Sequence, residues 1–159
     1  MSDKPDAVAM RALIAAHPAI FRGDEPRVWS HLPPGWHEIL DRLCVGIEQT
    51  LGDEISRFRV EQIKEKYGGL RFYYSLEGDS RRVIDTLFPG GRLRMQDHRT
   101  GTLAARIDAL IDAAEVESER TCRECGEPGK LRESTRGWLR VTCEAHSEPG
   151  DEVAAAEDL

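Results

Sequence analysis

The stretch TCRECGEPGKLRESTRGWLRVTCEAH, residues 121–146, decides how the rest of the chain is read. It places Cys122 and Cys125 at Cys-x2-Cys spacing, Cys143 and His146 at Cys-x2-His spacing, and 17 residues between the pairs. Two donors separated by two residues fit one tight turn. Two such turns supply the four soft or borderline ligands that a tetrahedral zinc ion takes. Gly126 follows the first pair, where its backbone freedom lets the chain fold closely around a metal. Between the pairs, Lys130–Ser134 and Gly137–Thr142 read as two short strands joined by Thr135-Arg136. The layout predicts a zinc ribbon over residues 120–146, made of a knuckle, a β-hairpin and a second knuckle. With Cys122, Cys125, Cys143 and His146 all supplied by the protein, no position is left for a catalytic water, so the expected Zn2+ is structural. A segment with so little apolar content depends on the metal for much of its folding free energy. The fourth cysteine, Cys44, sits alone in an apolar helical pattern and reads as a core thiol rather than half of a disulfide.

Working back from the ribbon, Thr102 is positioned to cap a helix whose apolar stripe is Leu103, Ile107, Leu110, Ile111 and Ala114, running to about Glu119. Residues 77–101 are the least patterned part. A short helix is expected from Arg81 to Leu87, then a loop at Pro89-Gly90-Gly91. Before it, Phe58 and Val60 alternate with polar residues, and Leu70, Phe72, Tyr74 and Leu76 alternate with Arg71, Tyr73 and Ser75. These predict a hairpin over 57–76, turning at Tyr67-Gly68-Gly69 with a loop of about five residues, and Arg59, Arg71 and Tyr73 on its wetter face. Trp36, Ile39, Leu40, Leu43, Ile47 and Leu51 follow helical spacing, and Gly52-Asp53 ends that helix. In residues 22–35 Trp29 is expected to anchor a loop. An Ala- and Leu-rich helix precedes it and stops before Pro18, whose ring denies the preceding residue its helical conformation.

The expected class is therefore α+β: helices packed on a small antiparallel sheet within residues 1–119, a C-terminal zinc ribbon at 120–146, and a mobile acidic tail at 147–159. The 159 residues are 40% hydrophobic and 32% charged, ordinary for a globular chain. No apolar run approaches the ~18 residues of a membrane span, and the start, MSDKPDAVAM, holds no apolar signal block. A cytoplasmic location is expected. The net charge is −7, but five of the acids lie in the base-free tail from Ser147 onward, so the body is closer to neutral.

Other chemistry is weakly signalled. His37-Glu38 lacks the second histidine one turn on that a zincin helix needs, and reads as the wet face of its helix. No phosphate-cradling glycine loop, nucleophile elbow or deaminase signature is present. His17 reads as a helix-end residue, and Asp97-His98 as plain surface rather than an acid–base pair. Lys64, Lys66, Tyr67 and Arg71 around the hairpin, with Arg132, Arg136 and Arg140 in the ribbon, form the candidate partner or nucleic-acid surface, since bases interleaved with aromatics grip phosphates and stack bases.

The segments VEQIKEKYGGLRFYY (60–74), RIDALIDAAEVESERTCRECGEPGKL (106–131) and GWLRVTCEAH (137–146) resemble a family of short bacterial and prophage proteins of uncharacterised function. In that family a Lys-Glu-Lys-aromatic-Gly-x-Leu-Arg-Phe-Tyr hairpin precedes a helix and a Cys-x-x-Cys-Gly…Cys-x-x-His ribbon. The resemblance covers roughly residues 33–76 and 103–146, with 77–102 an expansion. It implies metal binding by Cys122, Cys125, Cys143 and His146, and carries no activity.

No catalytic set emerges. The expected function is non-catalytic: a zinc-ribbon protein that binds another protein as a regulator or an inhibitor of the immunity type, with its acidic surface suiting a basic partner. The alternative is a nucleic-acid-binding zinc-ribbon protein. A small hydrolase using Asp97-His98 is the least supported reading. No membrane partner is expected.

Overall fold

The computed structural model describes residues 4–23, 26, 31–79, 83–88, 91–96 and 102–154. Helix α1 (Pro5–Ala16) opens on a proline, whose missing N–H costs nothing at a first helical position, and stops at His17 before Pro18. A single turn, α2 (Pro18–Phe21), follows. A 3-10 turn at Pro34–Trp36 leads into α3 (His37–Leu51), whose buried residues are Ile39, Leu40, Leu43, Cys44, Ile47 and Leu51. Gly52 ends α3 at φ 50°, a conformation that side chains resist. The expected apolar stripe is thus the buried one, and Trp36 joins it in the core.

A 3-10 stretch (Gly52–Arg57) precedes strands β1 (Phe58–Lys66) and β2 (Gly69–Leu76), which pair antiparallel. The loop between them is two residues, Tyr67-Gly68, not the expected five. Both residues have positive φ (52° and 77°), as a tight hairpin turn of this hand requires. The extra strand length was hidden by a register shift between Val60 and Gln62. That bulge moves the inward positions from Phe58 and Val60 to Ile63, breaking the period-two pattern where the strand continues.

Where a helix is expected from Arg81 to Leu87, the described residues, from Val83 on, form a strand. β3 (Val83–Phe88) pairs antiparallel with β4 (Gly91–Gln96), Ile84 opposite Met95 and Thr86 opposite Leu93. The alternation Ile84, Thr86, Phe88 and the β-branched residues favour extended backbone, a pattern the short window obscured. Trp29, Pro89-Gly90 and Asp97-His98 lie outside the described residues.

Helix α4 (Leu103–Ser118) starts as expected: the Thr102 hydroxyl oxygen accepts the Ala105 N–H at 3.1 Å. It packs on α3 where Gly46 leaves room, a Cβ there lying 3.3 Å from Leu110. Its inner face is not a plain apolar stripe. Asp108, Glu115 and Ser118 are buried with Ile107, Ile111 and Ala114. They serve β2: Leu70 N–H donates to Ser118 Oγ (2.9 Å), Phe72 N–H to Glu115 Oε1 (3.0 Å), and the Tyr74 hydroxyl to Asp108 (2.9 Å). The helix thereby closes the edge of a two-stranded sheet that would otherwise present bare N–H groups.

The ribbon holds β5 (Lys130–Glu133) and β6 (Leu139–Thr142), paired with Leu131 opposite Val141. A third strand, β7 (Glu152–Val153), adds to β5 with Val153 opposite Arg132. Residues 147–154 are therefore folded onto the ribbon rather than loose; residues 155–159 lie outside the described ones. The architecture is α+β, as expected, with four helices and small antiparallel sheets among the described residues. None of those helices is long and apolar enough to cross a membrane.

Candidate metal centre

The first knuckle grows directly from the end of α4. Thr121 donates its hydroxyl to Glu117 O (2.8 Å), Cys122 N–H donates to Glu127 O (2.7 Å), and Gly126 N–H returns to Cys122 O (2.9 Å). Gly126 takes φ 81°, which closes that turn. The second knuckle follows β6, where His146 N–H donates to Cys143 O at 3.2 Å. A hydrogen bond from Arg123 N–H to Val141 O (2.9 Å) joins the two halves.

This brings Cys122, Cys125, Cys143 and His146 together, with one donor atom from each lying within 4.8 Å of every other. Cys125 Sγ is 3.7 Å from Cys143 Sγ, and His146 Nδ1 is 3.7 Å from Cys122 Sγ and 3.2 Å from Cys143 Sγ. A tetrahedron with metal–sulfur bonds of ~2.3 Å has edges of ~3.8 Å, so the spacing fits four-coordinate binding. No pair is a disulfide; all the described cysteines are free. The imidazole enters through Nδ1, and its ring is exposed, as is Cys125, while Cys122 is buried.

The chemistry of the donors agrees. Burial alone would raise the Cys122 thiol, but N–H groups of Cys143, Cys125 and Glu124 stabilise its thiolate and bring it down to about 7. The Glu127 N–H favours the Cys125 thiolate too, yet burial and the neighbouring sulfurs of Cys122 and Cys143 outweigh it and push that thiol up to about 11. One thiolate therefore opposes the next. A cation at the centre removes that conflict, which is what a metal site built of thiolates requires.

The centre is clamped to the body. Gly35 N–H donates to Arg123 O at 2.8 Å, and a Cβ on Gly35 would stand 2.1 Å from Cys122 O. The buried Trp36 donates its indole N–H to Thr121 O (3.1 Å). Arg123 reaches Glu65 on β1 (3.3 Å) and contacts His31 (3.5 Å), and His31 pairs with Asp6 on α1 (2.7 Å). Sequence reasoning missed this chain of charges, because its members come from four separate segments.

The candidate surface divides. Lys66 and Arg136 are exposed and Tyr67 is largely so; Lys64 is half-buried. Lys64 lies over the Tyr73 ring and Lys66 over Tyr67, at 5.2 and 5.6 Å. Arg71, expected on the wet face, is only 3% exposed: it bends toward Glu115 (4.0 Å) and donates to Leu70 O (2.5 Å). Arg132 is also buried and pairs with Glu144 (2.8 Å). Arg140 pairs with Glu148 (2.8 Å) and Asp151 (3.0 Å), the acids of the tail expected to be mobile. Opposite charge is the reason in each case: a buried guanidinium stays where a carboxylate meets it. The sequence reading passed over Trp138, which stands 74% exposed beside the ribbon's hairpin turn.

The remaining singled-out residues are structural in placement. His17 is buried between Asp41 (2.9 Å) and Glu48 (3.2 Å). Glu38 is exposed and His37 half-buried. Cys44 is fully buried, and burial, with Glu48 and Asp41 adding to it, pushes its thiol well above the usual range.

Searches against protein-family models, curated proteins and solved structures find no match to this chain.

Proposed function

We propose that this chain is a non-catalytic zinc-ribbon protein of bacterial or phage origin that works in the cytoplasm by binding another protein, as a regulator or an inhibitor of the immunity type. The observation that carries the reading is the closed donor set: three sulfurs and one imidazole nitrogen at tetrahedral spacing leave no coordination position for a substrate or a catalytic water. Zinc is the metal that this donor set suits best. With the first knuckle tied to the body through Gly35, Trp36 and Arg123, an ion bound by the four donors would act as a rivet between the ribbon and the body.

A protein partner is favoured by Trp138, a large aromatic left in water at the ribbon tip, since exposed aromatics with a neighbouring arginine such as Arg136 make strong contact points between proteins. The nucleic-acid alternative loses support where Arg71, Arg132 and Arg140 are taken up by the chain's own acids, leaving fewer cations to release counterions from phosphates. The test is an affinity capture under native conditions with wild type and Trp138→Ala side by side. A protein retained by the first and lost by the second supports the reading. Oligonucleotide binding that weakens steeply with salt, with no protein retained, replaces it with the alternative.

A further inference from the structure

At the open end of the β1–β2 hairpin, beside the end of α2, lies a cavity of about 310 Å3 whose walls include Arg22, Arg57, Arg59, Ser75, Glu77 and Asp79. It shares no residue with the metal centre. Three arginines from three parts of the chain line it. Arg22 caps α2 at φ 54°, a left-handed conformation that a residue with a side chain seldom takes, and sends its Nη2 to the carbonyls of Ser56 and of Phe58 (3.3 Å). Arg57 donates from Nε to Glu77 O (2.9 Å) and pairs with Glu54. Arg59 stands exposed on β1 opposite Ser75, with no ion-pair partner among the described residues. Carbonyl oxygens satisfy donors but do not neutralise charge. Arg57 is balanced by Glu54, whereas Arg22 and Arg59 line the cavity with no carboxylate bonded to either among the described residues.

We propose that this cavity binds a phosphomonoester group, held by Arg22, Arg57 and Arg59, with Glu77 accepting from a hydroxyl or N–H of the group that carries the phosphate. Guanidinium forks match phosphate oxygens in pairs, and charge-assisted bonds of this kind are the strong ones. The size is at the lower end of small-molecule sites, enough for a phosphate and a short polar body. Glu77 and Asp79, which also line the cavity, repel a long polyanion, so it suits one phosphate rather than a nucleic-acid backbone. Gly78, at φ 81°, permits the close turn: a Cβ there would lie 3.3 Å from Arg57 Nη2.

The test is calorimetric titration of the full metal-loaded chain with glycerol 3-phosphate, a phosphoserine peptide, inorganic phosphate and glycerol. Saturable binding of an ester, tighter than inorganic phosphate and absent for glycerol, is expected, and the tighter of the two esters names the source. Arg59→Gln should weaken it about tenfold or more while leaving the thermal midpoint unchanged, because Arg59 is exposed. Arg22→Gln should weaken it comparably, with some loss of stability because Arg22 also ties α2 to Ser56 and Phe58; if that variant does not fold, Arg59→Gln decides. No saturable binding of either ester, or equal binding by wild type and Arg59→Gln, overturns the site. Inorganic phosphate binding as tightly as both esters overturns the ester assignment.

Discussion

Glu115 Oε1, on the inner face of α4, accepts the backbone N–H of Phe72 on β2 at 3.0 Å. The same carboxylate lies 4.0 Å from the Arg71 guanidinium, so one buried acid both closes a sheet edge and balances a buried cation. Ser118 and Asp108 extend the arrangement to Leu70 and Tyr74. A sheet of two strands is marginal in water by itself, and here a helix supplies the missing neighbour through polar side chains.

Replacing that acid should be costly. Glu115→Ala leaves the Phe72 N–H without its acceptor and Arg71 without the counter-charge at 4.0 Å, at a cost of about 3 kcal/mol. Glu115→Gln keeps an acceptor and should cost roughly half as much. Urea unfolding of both variants checks this, and equal losses would show that the charge, which both variants remove, matters rather than the acceptor that only the alanine removes.

Metal and fold should leave together. Elemental analysis of the purified chain is expected to find about one zinc ion per molecule. Cys125→Ser should lower zinc content and thermal midpoint in parallel, and a strong chelator should reproduce both in wild type. A metal-free wild-type protein with an unchanged midpoint contradicts the centre.

Acid should weaken the centre, because protons compete for Cys125 below about 11 and for Cys122 below about 7. Cys122 in the folded chain ionises near 7, below its ordinary 9.0. A depressed thiol contributes stability that is complete above 9.0 and is lost as pH falls through about 7. Protons also compete with the metal for the sulfur, so zinc affinity falls in the same direction. Competition against a chromophoric chelator across this range measures it; an affinity flat through neutrality argues against thiolate ligation.

The joint between ribbon and body should be intolerant of a single methyl group. Gly35→Ala puts a carbon 2.1 Å from Cys122 O, against backbone that cannot swing aside as a side chain would. A loss of about 2 kcal/mol or more is expected in thermal or urea unfolding. Gly46→Ala is the contrast, since its Cβ meets only the end of Leu110 at 3.3 Å, and a helix interior gains from alanine. Equal effects of the two would mean that the Gly35 contact carries no special weight.

Much of the site was legible before any coordinates, because its signals are local. Two knuckles declare themselves by spacing within single turns. The α3 stripe declares itself by period, the α4 start by the hydroxyl of Thr102, and the β1–β2 turn by its glycine. Where local signals are interrupted the reading fails: the bulge beside Val60 hides half a strand, and β3 falls where the sequence suggests a short helix.

The ligand set, the class of fold and the core face of α3 thus follow from the amino-acid order alone, since each depends on residues a few positions apart. Which charges are surface and which are structure was decided only by the tertiary fold. Arg71, Arg132 and Arg140 read as free cations in the chain, yet the first meets Glu115 on a distant helix, the second meets Glu144 in the second knuckle, and the third meets Glu148 and Asp151 of the returning tail. A guanidinium is held inside or released to water by the position of its counter-charge, and that position exists only once the segments have packed.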